Sequence, residues 1–253
     1  MIELKGVSKT YARSAVKAVD GLSLSIGDGE IFGFLGPNGA GKTTTIKMIT
    51  GVLRPDSGNV SVDGIDVAAD PIEAKRRIGY VTDNPELFAR LKAAEYLNFV
   101  GDVYGVDTRT RQARVSEYAS LFGIKDALGG SIGSFSHGMK QKLLVTASLL
   151  PDPQNWVLDE PMVGLDPKAS FDLKEIMRAR AAAGRTVFFS THVMEVAERL
   201  CDRLAIVNKG RIVFMGTLAE LKRGQGADGS LESLFLELVD GEAANEASPK
   251  AVV

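Results

Sequence analysis

With 253 residues, 45% of them hydrophobic and 25% charged, the chain has ordinary globular composition and enough length for one sizeable core with a subdomain. Basic residues number 30 and acidic ones 32, and the resulting net charge of −2 speaks against a dedicated nucleic-acid binder. No run of hydrophobic residue types exceeds four, far short of the about 20 apolar residues of a bilayer-spanning helix. Residues 1–5 carry no signal pattern, and the single Cys201 cannot pair within the chain, so a reducing cytosol is the expected setting. With only His137 and His192 present, a His-rich metal site is not expected.

The first ninety residues read as short strands, over 2–7, 22–26, 31–35, 59–62 and 78–81, with Asp56-Ser57-Gly58 and Asp63-Gly64 supplying turns. A helix is expected to follow Gly41, run to about Thr50 and close at Gly51. Between about 91 and 150 the period becomes helical. Tyr96, Leu97, Val100, Val103 and Tyr104 recur at three- and four-residue spacing, as do Val115, Tyr118, Ala119 and Phe122. A third helix is expected to start near Ser136, carrying Met139, Leu143, Leu144 and Ala147. This block reads as a helical insertion in an α/β core. Alternation resumes after Pro153: strand 156–158, helix 168–183, strand 186–189, helix 193–201, and a strand pair 204–207 and 211–214. Short apolar strands between helices imply a mostly parallel, buried sheet. Residues 224–229 read as a flexible linker before a short amphipathic helix carrying Leu231, Leu234, Phe235 and Leu238, and the Ala/Glu-rich tail 241–253 reads as disordered.

Gly36-Pro37-Asn38-Gly39-Ala40-Gly41-Lys42-Thr43 matches the phosphate-loop pattern G-x-x-x-x-G-K-[ST], in register with a strand before it and a helix after it. Glycines let the backbone wrap phosphate oxygens, and the exposed N–H groups with the helix N-terminus favour negative charge. Lys42 is expected at the β- and γ-phosphates and the Thr43 hydroxyl on Mg²⁺. The strand 156–158 ends in Asp159-Glu160: Asp159 is assigned to the metal, and Glu160, pointing elsewhere, to polarising an attacking water as general base. A GTPase would carry Asn-Lys-x-Asp, but the sole Asn-Lys, Asn208-Lys209, is followed by Gly210 and Arg211. A small kinase would share the phosphate loop without the elements described next.

Over about 2–238 the chain resembles the nucleotide-binding subunit of an ABC transporter, with several motifs in the family's order. The resemblance implies a P-loop NTPase (RecA-like) α/β core, about 1–90 and 151–223, with an antiparallel β subdomain and an inserted α-helical subdomain. It implies that Tyr11 stacks on adenine and that Phe135-Ser136-His137-Gly138-Met139 stands for the signature peptide Leu-Ser-Gly-Gly-Gln, presenting Ser136, His137 and Gly138 to ATP bound by the opposite subunit. Thr44 continues the phosphate loop, Asp166 in Gly164-Leu165-Asp166-Pro167 links the two sites, and His192 is the switch histidine at the γ-phosphate and attacking water.

The largest departure is Asp83, where the family usually has Gln; Asp accepts but does not donate. Asp83 is read as a Mg²⁺ ligand or a water-positioning group, with Asn84 as an alternative source of the amide. His137 is a second departure, read either as an imidazole whose protonation strengthens the ATP-bound dimer or as a neutral space-filler. The implied function is ATP hydrolysis with Mg²⁺, by a homodimer or heterodimer peripheral on the inner face of the cell membrane. It powers transport, with export favoured, through a separate integral membrane subunit docked near 85–100, with no nucleic acid involved. The alternatives are a soluble ABC-type ATPase of repair or translation, disfavoured by one phosphate loop and no sustained heptads, and a non-hydrolysing nucleotide-dependent regulator.

Overall fold

The computed structural model describes residues 1–12, 15–83, 88–225 and 231–246, whose strands form two sheets. The smaller sheet has four strands in the order β2-β1-β4-β5: β1 (Ile2–Thr10), β2 (Lys17–Ile26), β4 (Ser57–Val62) and β5 (Ile65–Asp66), all antiparallel. Ile2, Leu4, Leu24, Ile26 and Val62 point inward from it and are almost wholly buried. β2 starts five residues before the stretch that alternation predicts. Lys17, Asp20 and Gly21 disguise that extension, which pairs with β1 through register shifts at Val7, Lys9 and Thr10.

The larger sheet is ordered β10-β9-β3-β8-β7-β6. β3 (Ile31–Leu35), β8 (Thr186–Thr191) and β7 (Asn155–Asp159) form its centre and are buried along their full length. β6 (Ile78–Val81) flanks β7, and the hairpin of β9 (Arg203–Asn208) and β10 (Arg211–Gly216) closes the other edge. Every pairing is parallel except that hairpin. Burial on both faces explains why these strands read as continuous Val/Ile/Leu/Phe runs rather than alternating ones. Trp156 anchors one face: it is fully buried, its indole N–H donates to Ser148 Oγ at 2.9 Å, and the Arg180 guanidinium lies 5.7 Å from its ring.

α1 (Lys42–Ile49) follows β3, and a short α2 (Pro71–Arg76), unanticipated from the sequence, begins at Asp70, which accepts from the Glu73 N–H. The expected helical insertion is present as α3 (Ala93–Val103), α4 (Thr108–Leu121) and α5 (His137–Leu149), whose apolar faces share one core with Trp156, Leu158 and Phe189. α6 (Pro167–Ala182) and α7 (Met194–Leu200) cross between the later strands.

The C-terminal segment differs from its reading as linker, short helix and tail. Gly224 and Gln225 belong to the last turn of α8 (Leu218–Gln225), and α9 (Leu231–Glu246) runs six residues beyond the expected end at 240. Leu231, Leu234 and Phe235 pack with Leu221, Met194 and Ala197. Residues 226–230 of the linker and 247–253 of the tail lie outside the described residues.

Candidate functional site

The candidate site lies where α/β sheets place ligands, at the carboxyl ends of the central parallel strands. β3 runs into the phosphate loop, β7 ends in Asp159-Glu160, β6 leads to Asp83, and β8 leads to His192. Because β3, β8 and β7 are adjacent, residues up to about 150 positions apart meet around one cleft of about 360 Å³; His192 is not among its walls but touches Glu160, which is. Tyr11, Lys42, Thr43, Thr44, Asp83 and Glu160 are among its walls.

Two glycines of the loop have no substitute. A Cβ on Gly36 would lie 2.5 Å from the Val207 carbonyl oxygen, and one on Gly41, at φ +105°, would lie 2.4 Å from that of Ala18. Gly41 also serves as the N-cap of α1 without offering a side-chain acceptor, and the first turn holds no acidic residue. The helix N-terminus therefore keeps its partial positive charge for an incoming anion. Ala40 is tied down from behind, its carbonyl accepting from the Gly210 N–H at 2.9 Å, while Asn38 and Gly39 at the tip are exposed. Tyr11 stands at the rim, 45% exposed, its hydroxyl 3.2 Å from Thr44 Oγ1.

Lys42 is 7% exposed. Its ammonium donates to the carbonyl oxygens of Gly36 at 2.7 Å and Pro37 at 3.3 Å, which holds the side chain over the loop. The same Nζ lies 3.4 Å from Glu160 Oε1, and Glu160 Oε1 lies 3.0 Å from His192 Nδ1. One carboxylate oxygen thus bridges the loop lysine and the histidine. Glu160 holds this place from a left-handed backbone, φ +47°, a conformation that costs a residue with a Cβ about 1–3 kcal/mol and tends to be kept where a site needs it.

Asp159 is wholly buried. Burial pushes its carboxyl above the usual range, with the negative charges of Asp83 and Glu160 adding to the effect, while Ser190 and Thr43 pull it back. Ser190 Oγ donates to Asp159 Oδ1 at 2.5 Å, whereas Oδ2 meets no partner in hydrogen-bond geometry among the described residues, the nearby Thr43 hydroxyl included. An orphaned, buried carboxylate oxygen beside a threonine hydroxyl fits a small hard cation. Mg²⁺ commonly takes one or two protein oxygens and completes its shell with water and phosphate. Asp83 is exposed, lines the same cleft and accepts from the Thr82 hydroxyl at 3.2 Å. Asn84, the alternative amide, lies outside the described residues.

Ser136, His137 and Gly138 do not line this cleft. Ser136 caps α5, accepting from the Met139 N–H at 3.3 Å. His137 lies over Gly164 of its own chain so closely that a Cβ there would be 2.3 Å from His137 Cδ2. Gly138 abuts the Gly164 carbonyl, Gln141 Nε2 donates to the Pro161 carbonyl at 3.3 Å, and Lys142 Nζ meets Asp166 Oδ2 at 2.6 Å. The Lys142 ammonium, with the Ala169 N–H, lowers the Asp166 carboxyl to about 2. The start of α5 is thereby docked along the whole loop that follows Glu160.

The sequence reading missed Ser190. Its signal is a hydroxyl between the apolar run Val187-Phe188-Phe189 and Thr191-His192, at the ladder position opposite Asp159.

A strand–phosphate loop–helix unit, a buried acidic strand end and a carboxylate bridging lysine and histidine define a P-loop nucleotide hydrolase. A protein-family profile described as ABC transporter matches residues 19–163. The ABC transporter ATP-binding protein NatA of Bacillus subtilis (strain 168) is 36% identical over 245 residues, spanning 95% of this chain and 99% of its own length. The daunorubicin/doxorubicin resistance ATP-binding protein DrrA of Streptomyces peucetius is 37% identical over 246 residues, 97% of this chain and 73% of that one. A solved structure described as the ATP binding subunit of an ABC transporter superposes with a TM-score of 0.89 at 33% identity, covering 94% of this chain and 99% of that one. The chain belongs to the ABC transporter family and is an ATP-binding, ATP-hydrolysing subunit of it.

Proposed function

We propose that this chain hydrolyses ATP, with Mg²⁺, in a dimer that powers export through a separate membrane-spanning subunit, lying peripherally on the inner face of the cell membrane. The observation that carries the chemistry is the Lys42–Glu160–His192 bridge above the phosphate loop. In this reading the loop amides, the α1 N-terminus and Lys42 hold the β- and γ-phosphates, and Tyr11 stacks on adenine. Glu160 takes the proton of the attacking water while His192 orients water and γ-phosphate, so catalysis is positioning and preorganised charge. Asp159, Thr43 and Asp83 would hold Mg²⁺, which neutralises charge on the phosphate oxygens. Ser136, His137 and Gly138, absent from their own chain's cleft, serve the nucleotide of a second subunit, and Asp166 joins the two sites.

Docking on a membrane partner is supported by the surface near 85–100. Phe88 and Phe99 are about half exposed and form an aromatic cluster with Tyr96, ring centroids 5.5 and 6.0 Å from Phe88, while 85–87 lie outside the described residues. Clustered exposed aromatic side chains suit a docking surface. Among the described residues no helix is long and apolar enough to cross a membrane, and in this reading the spanning part is a separate chain. Export follows the resemblance to DrrA, whose name is that of a drug-resistance subunit. The decisive test is ATP turnover of the purified chain, alone and reconstituted with a membrane subunit recovered from membranes by pull-down. Turnover that the membrane subunit and its cargo stimulate is expected; no recoverable membrane partner overturns the transport reading, and no turnover in either state leaves only the regulator.

Asp83 is open to a separate measurement. Asp83→Ala is expected to reduce turnover about tenfold or more through loss of a cation or water contact, while Asn84→Ala stays near normal. A fully active Asp83→Ala removes Asp83 from the site.

A further inference from the structure

We propose that Ser190 is a positioning residue that sets both members of the acidic pair through one hydroxyl. β8 reads Thr-Val-Phe-Phe-Ser-Thr and is buried throughout, with Ser190 at 0% exposure. A hydroxyl in such a place costs stability unless its bonds are made. Ser190 makes two, and both reach the site. Its O–H donates to Asp159 Oδ1 at 2.5 Å, and its oxygen accepts the Glu160 N–H at 3.0 Å. Parallel pairing of β7 with β8 puts Asp159 and Ser190 directly opposite each other, so the ladder delivers the hydroxyl to the acidic pair without a flexible side chain.

The consequences for the two acids differ. With Oδ1 engaged, the Asp159 carboxylate is fixed in rotation and Oδ2 is left as the oxygen without a partner, free to face a cation. The bond to the Glu160 N–H holds a backbone that would otherwise relax from φ +47°, and that backbone aims the Glu160 carboxylate at Lys42 and His192. One proton and one lone pair are what these contacts require. Alanine and valine supply neither, threonine supplies both with an added methyl, and cysteine supplies weaker, longer versions. Ser190 does not line the cleft, so it acts through Asp159 and Glu160 rather than on the nucleotide.

This inference rests on the proposed roles of Asp159 and Glu160. Its test therefore runs Ser190→Ala, Ser190→Thr and Ser190→Cys beside Asp159→Asn and Glu160→Gln. Two readouts are taken: ATP turnover resolved into kcat and KM, and Mn²⁺ binding by electron paramagnetic resonance in the presence of the non-hydrolysable analogue AMP-PNP. Ser190→Ala is expected to bind AMP-PNP without divalent cation as the parent does. Its Mn²⁺ affinity should fall roughly tenfold and its kcat roughly 10–100-fold, the cost of removing a partner that orients a metal ligand, with KM within about threefold. Ser190→Thr should restore both, and Ser190→Cys should fall between, which keeps the comparison informative if the alanine variant does not fold. Wild-type kcat and Mn²⁺ affinity in Ser190→Ala overturn the inference, as does a threonine variant no better than alanine or cysteine. Near-normal turnover in Glu160→Gln and unchanged Mn²⁺ binding in Asp159→Asn would instead overturn the underlying assignments, whatever Ser190 does.

Discussion

Glu160→Gln is expected to bind ATP and to turn it over about 10²–10⁴-fold more slowly, the usual contribution of a positioned general base. The amide matches the carboxylate in size, so the left-handed backbone and the bond from Glu160 N–H to Ser190 are undisturbed. What is lost is the proton acceptor and the negative charge between Lys42 and His192. Nucleotide binding should not suffer, because the loop amides and Lys42 remain. Removing a negative charge beside the γ-phosphate favours retention of ATP, so a dimer held together by unhydrolysed nucleotide is the expected species. Single-turnover hydrolysis and size-exclusion chromatography with ATP read the two effects separately. Turnover near normal would take the base assignment away from Glu160.

Lys42→Ala should have the largest effect on binding. The ammonium bonds two carbonyls of its own loop, which holds it above the loop where a phosphate would lie. Its removal deletes a nearly buried cation facing phosphate and leaves Glu160, whose side chain is only 17% exposed, as an unbalanced negative charge in the same cleft. Loss of one partner from a buried charge pair costs the protein about 3–5 kcal/mol of stability, and, because the phosphates lose their cation and meet an unbalanced carboxylate instead, a loss of at least roughly 100-fold in ATP affinity by isothermal titration is expected. Affinity within about threefold of the parent would mean that the loop amides alone carry the phosphates. Lys42→Arg tests charge against shape, since a planar guanidinium cannot reach both carbonyls in the way an ammonium does.

Much of the site was legible because its chemistry depends on local order. The phosphate loop, the acidic pair and Ser190-Thr191-His192 each follow an apolar strand, and parallel strands deliver their carboxyl ends to one edge. Strand neighbourhood was less legible: that β3 lies between β8 and β9, and β7 between β8 and β6, is settled by the ladder. For the same reason the Ser190 contact escaped the sequence reading. Its partner is 31 residues away, and only the register of β7 against β8 reveals it. The start of β2 was hidden by polar residues on an edge strand, where a solvated face tolerates them. The length of α9 was underestimated because Ala/Glu-rich sequence lacks the apolar period by which buried helices are recognised, although both residues are strong helix formers. His137 was read either towards a phosphate of another subunit or as a neutral space-filler, and within its own chain its ring rests on Gly164. The substitution in the signature peptide and the bare glycine in the following loop complement each other in space, which neither motif discloses alone.

Cys201 has a consequence for experiment rather than for catalysis. Its sulfur is pressed against Gly33, where a Cβ would come within 2.5 Å of it, and burial pushes the thiol far above its ordinary value. It is the thiolate that attacks alkylating reagents, so this sulfur should be slow to react. It is also the only cysteine in the chain. A cysteine introduced at an exposed position such as Ser120 on α4 would then be the one fast-reacting handle. Spin labels or fluorophores could report the approach of two subunits during the ATP cycle without first removing a native residue.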